Sequence, residues 1–508
     1  MKLLHNQHFE IPKEIMNVLE TLEKSGFEAY IVGGCVRGLL TGFKPRDWDV
    51  TTNATPEEII KLFPKTFYEN TYGTVGVVNE DVSTRTEEGI PDETLRVVEV
   101  TPYRLESTYS DNRRPDAVTF SKNIEDDLKR RDFTINAIAL SVKKVGTKLE
   151  EKIIDPHGGI ADIEKKILRT VGKSEDRFGE DALRILRAIR ISTETDFAIE
   201  KETEMGIRKY APLLAKISKE RIRDEFVKIL MSKEPMKGII MAQNMGILKY
   251  IVPELEVGIG VAQNQAHAFD VWTHLLKSLQ HAADKNWSLE IRLSALLHDI
   301  GKPESKRQPA DKKDPTFYGH EVIGARMTKK ILENLKFSNK IIEKVTLLVR
   351  WHMFFSDTEQ ITLSAVRRMV ANVGKENIWD LMNVRACDRI GTGRPKESPY
   401  RLRKYKSMIE EAMRDPISVT MLKIDGNKII EVTKTPAGPK VGFILHALLE
   451  EVLDDPKLNT EEYLEEKAQK LITLSEEELK KLGKLGVAKK EALEEKEKEE
   501  IRKKHWVK

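Results

Sequence analysis

Asp47 and Asp49 flank Trp48 ten residues after Gly33-Gly34-Cys35-Val36-Arg37, and together these residue types can handle a phosphate. In an extended chain, side chains two apart share a face, so the carboxylates should point together while Trp48 turns into the packing. Converging carboxylates repel unless a cation lies between them. Hard oxygen donors suit Mg²⁺, which keeps waters and shares substrate phosphates. Two such ions can clamp the attacking and leaving oxygens of an in-line phosphoryl displacement. A bare Asp-x-Asp is also what a solvated surface loop carries. The glycine pair Gly33 and Gly34, which lets backbone approach phosphate, and Arg37 tilt the reading towards nucleotide chemistry.

Further along, Leu95 to Val100 reads as a strand with Glu99 on its polar face, a candidate third carboxylate. Arg113-Arg114-Pro115-Asp116 follows, then Asp127-Leu128-Lys129-Arg130-Arg131-Asp132-Phe133-Thr134-Ile135-Asn136. Guanidinium forks suit phosphate, so Arg131 with Asp132 and Asn136 can hold triphosphate oxygens and ribose hydroxyls. An isolated Arg-Arg pair equally suits a solvated turn. In Glu180 to Arg190, the spacing of Ala182, Ile185, Leu186 and Ile189 predicts the buried stripe of one helix. Glu180, Arg184 and Arg187 would lie on an adjacent stripe, with Asp181 beside them and Arg190 further round. Acid and arginine at that spacing form an i, i+4 ion pair, or an edge of donors and acceptors facing a nucleobase.

A second constellation is built from histidine. His298-Asp299 ends an apolar helical run, His274 lies upstream on another, and His320, His352 and Asp388 follow. Nitrogen and charged oxygen from several helices can converge on one or two divalent cations. A lone histidine is more simply a surface or satisfied core residue, which is the reading for His267 and His281.

The elements that must position these groups change character once along the chain. Residues 11 to 25 carry helical apolar spacing up to Gly26, Glu28 to Val32 is a β-type run, and Thr55-Pro56-Glu57-Glu58 opens a capped helix. Tyr72 to Asn79 and Leu95 to Pro102 read as strands around a polar stretch, so the sheet should occupy about 27 to 155. Beyond Asp155-Pro156-His157-Gly158-Gly159 nearly every apolar pattern is helical. Past about residue 475 the chain turns Lys/Glu-dense, as a solvated helix or frayed tail does. The expected class is α+β: a small sheet with helices, then all-α segments.

At 508 residues several domains are expected, and a net charge of +3 makes nucleic-acid affinity a matter of local basic patches. Two distant cysteines, Cys35 and Cys387, suggest a reducing compartment. No stretch reaches the roughly eighteen apolar residues of a membrane span and no signal peptide is evident, so a cytoplasmic location is expected.

The ordered blocks VGGCVRGLL, RDWDVTT, EVTPYR, DNRRPDAVTF, DDLKRRDFTINAIAL, DPHGGIADI, RFGEDALRILRAIR and ISKERIRDEFVKIL resemble the class II nucleotidyltransferases. That family holds the bacterial CCA-adding tRNA nucleotidyltransferases and the poly(A) polymerases. The resemblance implies Mg²⁺ on Asp47 and Asp49, phosphate at Gly34 and Arg37, and nucleotide at Arg131. It implies base selection and triphosphate contact by Asp181, Arg184, Arg187 and Arg190. One departure is Gly38, where the family usually carries aspartate. The histidine set, with Gly301-Lys302-Pro303 after His298-Asp299, resembles the HD-domain metal phosphohydrolases, whose six ligand positions are all present.

The organisation expected from these resemblances is a nucleotidyltransferase head (1–155), a helical neck (156–255), an HD domain (256–395), a helical RNA-binding region (396–475) and a charged tail (476–508). The expected reaction adds C, C and A to tRNA 3′ ends from CTP and ATP, with salt-sensitive backbone contacts from segments such as Lys219 to Arg223. A poly(A) polymerase, or an enzyme adding only A or only C, uses the same chemistry. An HD phosphohydrolase with an RNA-binding head, or an RNA-binding scaffold, are readings of other classes.

Overall fold

The computed structural model describes residues 9–45, 47–68, 73–86, 90–106, 118–145, 148–264, 267–310, 314–354, 361–415 and 418–483. Arg113 to Asp116 and Tyr72 lie outside them. The chain divides into two compact units, Met1–Glu256 with Asn334–Phe337, and Val257–Glu333 with Ser338–Lys508.

The first unit begins with α1 (Lys13–Lys24), whose Ile15, Val18, Leu19 and Leu22 are buried at helical spacing. It stops at Ser25-Gly26, where a φ of +86° favours glycine. β1 (Ala29–Val32), α2 (Gly34–Thr41), β2 (Asp49–Thr52), α3 (Pro56–Leu62), β3 (Thr66–Tyr68), β4 (Val75–Val78) and β5 (Val97–Pro102) follow. The predicted cap of α3 is present: the Glu58 amide donates to Thr55 Oγ1, and the Thr55 amide donates to the Glu58 carboxylate. After a small antiparallel pair, β6 (Arg104–Glu106) and β7 (Val118–Phe120), come α4 (Ile124–Lys129) and the hairpin strands β8 (Ala139–Val145) and β9 (Lys148–Ile154).

Seven strands make one mixed sheet in the order β3-β4-β5-β2-β1-β8-β9, parallel only between β2 and β5. Its register carries one row of partners from Ala139 through Val32, Asp49 and Glu99 to Gly76. Directly opposed residues project from the same face, so Asp49 and Glu99 are neighbours on adjacent strands. One residue along, Val50, Val98 and Val100 project into the core at 0% exposure. Each such side chain contributes roughly 1.5–3 kcal/mol through burial. That packing holds the carboxylate row in place.

Helices complete the unit: α5 (Gly159–Lys165), α6 (Ser174–Glu180), α7 (Leu183–Thr195), α8 (Lys201–Tyr210), α9 (Lys219–Leu230) and α10 (Pro235–Asn244). A two-residue parallel pair, Ile167–Leu168 with Ala198–Ile199, is an exception to the all-helical expectation beyond 155.

The second unit is helical among the described residues. It comprises α11 (Val271–Asp284), α12 (Leu289–Leu297), α13 (Lys302–Ser305), α14 (His320–Asn334), α15 (Asn339–Trp351), α16 (Leu363–Val373), α17 (Ile378–Gly391) and α18 (Tyr400–Ala412). It ends with α19 (Gly426–Thr433), α20 (Pro439–Asp454), α21 (Glu461–Leu471) and α22 (Glu476–Gly483). One apolar cluster runs from Ala282 and Ile291 through Tyr405 and Leu448 to Leu479. The start of the Lys/Glu-rich tail is therefore packed: Leu479 is at 0% exposure, because one apolar side of α22 lies on this core. No described helix is long and apolar enough to cross a membrane.

Candidate nucleotide and metal sites

β1 delivers the chain into Gly33, whose φ of +81° and ψ of −139° lie in a region essentially reserved for glycine. A Cβ there would stand 3.1 Å from Asp49 Oδ2 and 3.2 Å from Arg131 Nη1. The bare α-carbon thus lets a carboxylate and a guanidinium close over the N-terminus of α2. Unpaired backbone amides and the helix dipole make such an end attractive to an anion. Next to it opens a cavity of about 150 Å³ lined by Asp49, Glu99, Thr101, Arg104, Arg130 and Arg131 among others. Asp127 is fully buried and carries both arginines, Arg130 on Oδ1 and Arg131 on Oδ2 at 3.0 Å. Burial would raise its pKa, but the two guanidinium groups outweigh that and lower it.

Asp47 departs from the expected shared strand face. β2 starts at Asp49, so Asp47 sits in a bend before the strand and is exposed, while Trp48 is buried as expected. Gly38 has a local reason: a Cβ there would meet the Phe43 carbonyl oxygen at 2.9 Å. The turn after α2 fills the space an aspartate would need.

Behind the cavity runs a second chain of contacts. Arg37 Nη1 donates to Asn136 Oδ1, Asn136 Nδ2 to Asp132 Oδ1 at 3.0 Å, and Arg187 Nε to Asp132 Oδ2 at 2.8 Å. Asp132 is buried at 7% exposure; burial opposes its charge, but Arg187, Asn136 and Arg184 hold it far below the usual carboxylate range. Its described partners are protein groups, so it positions Arg187 and Asn136, which position Arg37.

The predicted single helix from Glu180 to Arg190 is broken. α6 ends at Glu180, Asp181 is extended, and α7 starts at Leu183, although the stripe of Ala182, Ile185, Leu186 and Ile189 is fully buried. Glu180 pairs with Arg184 at 2.5 Å and with Arg177 at 2.6 Å, the ion-pair alternative. Arg184 also donates to the Arg130 carbonyl at 3.0 Å. Asp181 accepts from the Leu183 amide at 3.0 Å and from Arg221 at 2.7 Å. Arg190 is held by Glu225 at 2.6 Å and Glu194 at 2.9 Å. Within the expected RNA-contacting segment, Arg221 is thus turned inward to Asp181.

In the second unit, α11, the end of α12, α14, the end of α15 and α17 bring all six predicted residues together. His274, His298, Asp299 and Asp388 form one buried group, and Asp299, His320 and His352 form another. Asp299 Oδ2 lies 3.0 Å from His274 Nε2 and 3.3 Å from His298 Nε2, while Oδ1 lies 3.2 Å from His320 Nε2 and 3.4 Å from His352 Nε2. Donors around one cation with bonds of roughly 2.1 Å stand about 3.0–3.5 Å apart, so each oxygen faces a separate ligand set.

Tautomers reinforce this geometry. Nδ1 of His298, His320 and His352 each faces the carbonyl three residues earlier, at 2.7–2.9 Å. A carbonyl can only accept, so Nδ1 carries the proton and Nε2 offers its lone pair inward. Asp299 Oδ1, His320 Nε2 and His352 Nε2 are buried with no hydrogen-bond partner, at roughly 1–3 kcal/mol each. Burial would keep His298 neutral, but the carboxylates of Asp299 and Asp388 push it up to about 9, so at its Nε2 a proton and a metal compete for the same place. The carboxylates draw positive charge into this point. The donor set fits divalent metal.

The sequence reading passed over several groups here. Lys302 is buried and donates to Asp299 at 2.6 Å and Gln263 at 2.7 Å, and His267 stands 3.4 Å from it. His267 is therefore a neighbour of the centre, against its bland reading, and burial first, then Lys302, pushes it down to about 4. Asp127 had a usable signal, arginines three and four residues on. Thr101 and Arg104 lie in the EVTPYR block and Arg221 in ISKERIRDEFVKIL, but only tertiary packing assigns their neighbours.

Family models match along the same lines. Residues 29–169 match the poly A polymerase head domain, 196–258 the probable RNA and SrmB-binding site of polymerase A, and 271–377 the HD domain; the head and HD families use divalent metal. The CCA-adding enzyme of Geobacillus stearothermophilus is 31% identical over 456 residues, covering 89% of this chain and 95% of that protein. That of Lactiplantibacillus plantarum is 30% identical, covering 86% and 90%. The crystal structure of the Bacillus stearothermophilus CCA-adding enzyme in complex with CTP superposes with a TM-score of 0.65 at 28% identity, over 91% of this chain and 97% of that one. The Thermotoga maritima CCA-adding enzyme complexed with tRNA shares the fold, with a TM-score of 0.51 at 20% identity over 91% and 96%.

Proposed function

The chain belongs to the family of CCA-adding nucleotidyltransferases, and on that premise we propose that it builds the CCA end of tRNA from CTP and ATP in the cytoplasm. One observation carries the reading: the register sets Asp49 beside Glu99 on the wall of a cavity that Arg130 and Arg131 also line, with Gly33 packed against Asp49 and Arg131. Mg²⁺ held by Asp47, Asp49 and Glu99 would lower the pKa of the RNA 3′-hydroxyl and neutralise charge on the departing pyrophosphate.

The remaining work falls to the chain's own groups. Gly33 and Gly34 present backbone to the triphosphate, and Arg37 and Arg131 bind its oxygens. The Asn136–Asp132–Arg187 relay keeps Arg37 aimed at the phosphates. Asp181 and Arg184 offer acceptor and donor to the incoming base, and Arg187 and Arg190 supply positive charge beside it. The reading divides the chain into a head (1–155), neck (156–255), HD domain (256–395), RNA-binding region (396–475) and tail (476–508).

The test supplies tRNA lacking its 3′ end with each labelled nucleotide alone and in pairs. Ordered addition of C, C and A is expected. Long A-tails on arbitrary RNA would replace the reading with poly(A) synthesis, and addition of A or C alone with a partial enzyme.

A second activity is supported by three buried ligand atoms without a hydrogen-bond partner, Asp299 Oδ1, His320 Nε2 and His352 Nε2: phosphoester hydrolysis at the HD centre, with divalent metal held by His274, His298, Asp299, His320, His352 and Asp388. Asp47→Ala should abolish nucleotide incorporation and leave metal-dependent phosphatase activity intact. Loss of both would mean that the two sites are not independent.

A further inference from the structure

The strand of chain that leaves the HD centre has an unusual charge pattern. From Arg389 to Lys406 there are seven lysines and arginines and one carboxylate, Glu397. Lys285 neutralises that carboxylate at 2.6 Å, with His281 at 3.8 Å. Arg394, Lys396 and Lys404 are exposed and have no ion pair among the described residues.

The segment also starts on the metal centre. A Cβ on Gly391 would lie 2.9 Å from His274 Nδ1, so this backbone runs directly over a ligand. The Ala268 amide donates to the Thr392 carbonyl at 3.1 Å, which ties the turn to the stretch carrying His267. From there the chain passes Arg394 and Lys396 to Tyr400, 68% exposed at the start of α18, with Arg401, Arg403 and Lys404 exposed around it. Leu402 and Tyr405 anchor the helix in the core, so its outer face is a fixed array of cations around a bare aromatic ring.

A small phosphate ester needs the metal and one or two cations. A ridge of exposed cations, with Arg394, Lys396 and Lys404 making no ion pair among the described residues, beside an exposed ring is built for something longer. Single-stranded nucleic acid combines a phosphate every nucleotide with bases that stack on aromatic faces.

We propose that the ridge from Arg389 to Lys404 binds a single-stranded RNA segment, a base stacked on Tyr400, with the strand's phosphorylated end at the HD centre. The position of that end rests on the reading of the HD centre as a phosphohydrolase; the ridge contact does not.

The test uses the full chain with Mn²⁺ and a ten-nucleotide single-stranded RNA carrying a 3′-phosphate, which cannot be extended, and 4-thiouridine at its last position. Cross-linked peptides are expected from residues 389–406. Arg394→Ser with Lys396→Ser and Lys404→Ser should flatten the slope of log affinity against log salt by about 2, since each contacted phosphate contributes roughly 0.7 in single strands. Tyr400→Ala should weaken binding by about tenfold at unchanged slope, as loss of one stacked base does. Both variants keep the buried Leu402 and Tyr405, and circular dichroism checks their fold. Cross-links confined to residues 29–169, or an unchanged salt slope in the triple variant, would overturn the proposal. Cross-links in the ridge with no release of phosphate would support it and reject only hydrolysis at the centre.

Discussion

Replacing Gly33 by alanine tests the head site at its most constrained point. The φ/ψ of +81° and −139° cost a side-chain-bearing residue on the order of 1–3 kcal/mol. The new methyl would also stand 3.1 Å from Asp49 Oδ2 and 3.2 Å from Arg131 Nη1, so both must yield by a few tenths of an ångström. A misplacement of about 1 Å at reacting groups costs roughly a hundredfold in rate, so a shift of a few tenths should cost about tenfold, which is about 1.4 kcal/mol of transition-state stabilisation. The matched control is Gly42→Ala at the other end of the same helix. There φ is +75° and ψ is 17°, and a Cβ would meet nothing within 4 Å. It carries the left-handed strain of about 1–2 kcal/mol without touching the site. Single-turnover CTP incorporation into tRNA lacking CCA, at a temperature where both variants are folded, should fall by about tenfold for Gly33→Ala and less than threefold for Gly42→Ala. Equal activities in the two variants would refute the claim that the bare α-carbon holds Asp49 and Arg131 in register.

The other expectations concern charge and metal. Glu14 is buried and accepts from the amides and hydroxyls of Ser83 and Thr84 at 2.6–3.0 Å; burial raises its pKa, but these donors outweigh it and bring it down to about 2 from 4.5. A depressed carboxylate stabilises the fold above its unfolded pKa and loses that contribution as pH falls from 4.5 towards 2. Urea titrations should therefore show Glu14→Gln less stable than the parent at pH 7, with the gap closing below pH 4. Asp132→Ala strands Arg187 and should cost about 3–5 kcal/mol in the same assay, together with most incorporation activity. Metal analysis after dialysis against Mn²⁺ should find up to two ions in the second unit. His320→Ala should remove one and Asp299→Ala both, because Asp299 alone faces both groups. Arg221→Ala frees Asp181 from its 2.7 Å partner. It should raise misincorporation of the wrong nucleotide about tenfold while tRNA binding changes less than twofold.

Much of this molecule is legible in one dimension because its local signals agree with its fold. Alternation along β5, the helical stripe of α1, the capping box of α3 and the apolar run into His298-Asp299 are short-range patterns, and the structure places each as expected. Residue chemistry pointed the same way: a glycine pair beside two carboxylates is a set of groups suited to phosphate and metal. Histidines on separate helices converge only if the helices pack. Yet their number, order and company with aspartate already favoured a shared centre.

Packing alone decided the partners. Asp181 follows α6 in an extended break because its side chain is claimed by the Leu183 amide and by Arg221, forty residues away, which no periodicity in 180–190 encodes. Asp132 is spent on Arg187 and Asn136 because burial makes an unpaired carboxylate costly. Leu479 joins the core because one apolar side of a Lys/Glu-rich helix suffices when a matching surface is present. Sequence therefore determined which groups exist and which local elements carry them. Only the tertiary structure decided which line a cavity and which are consumed in holding the others, since burial and pairing belong to distances between segments far apart in the chain.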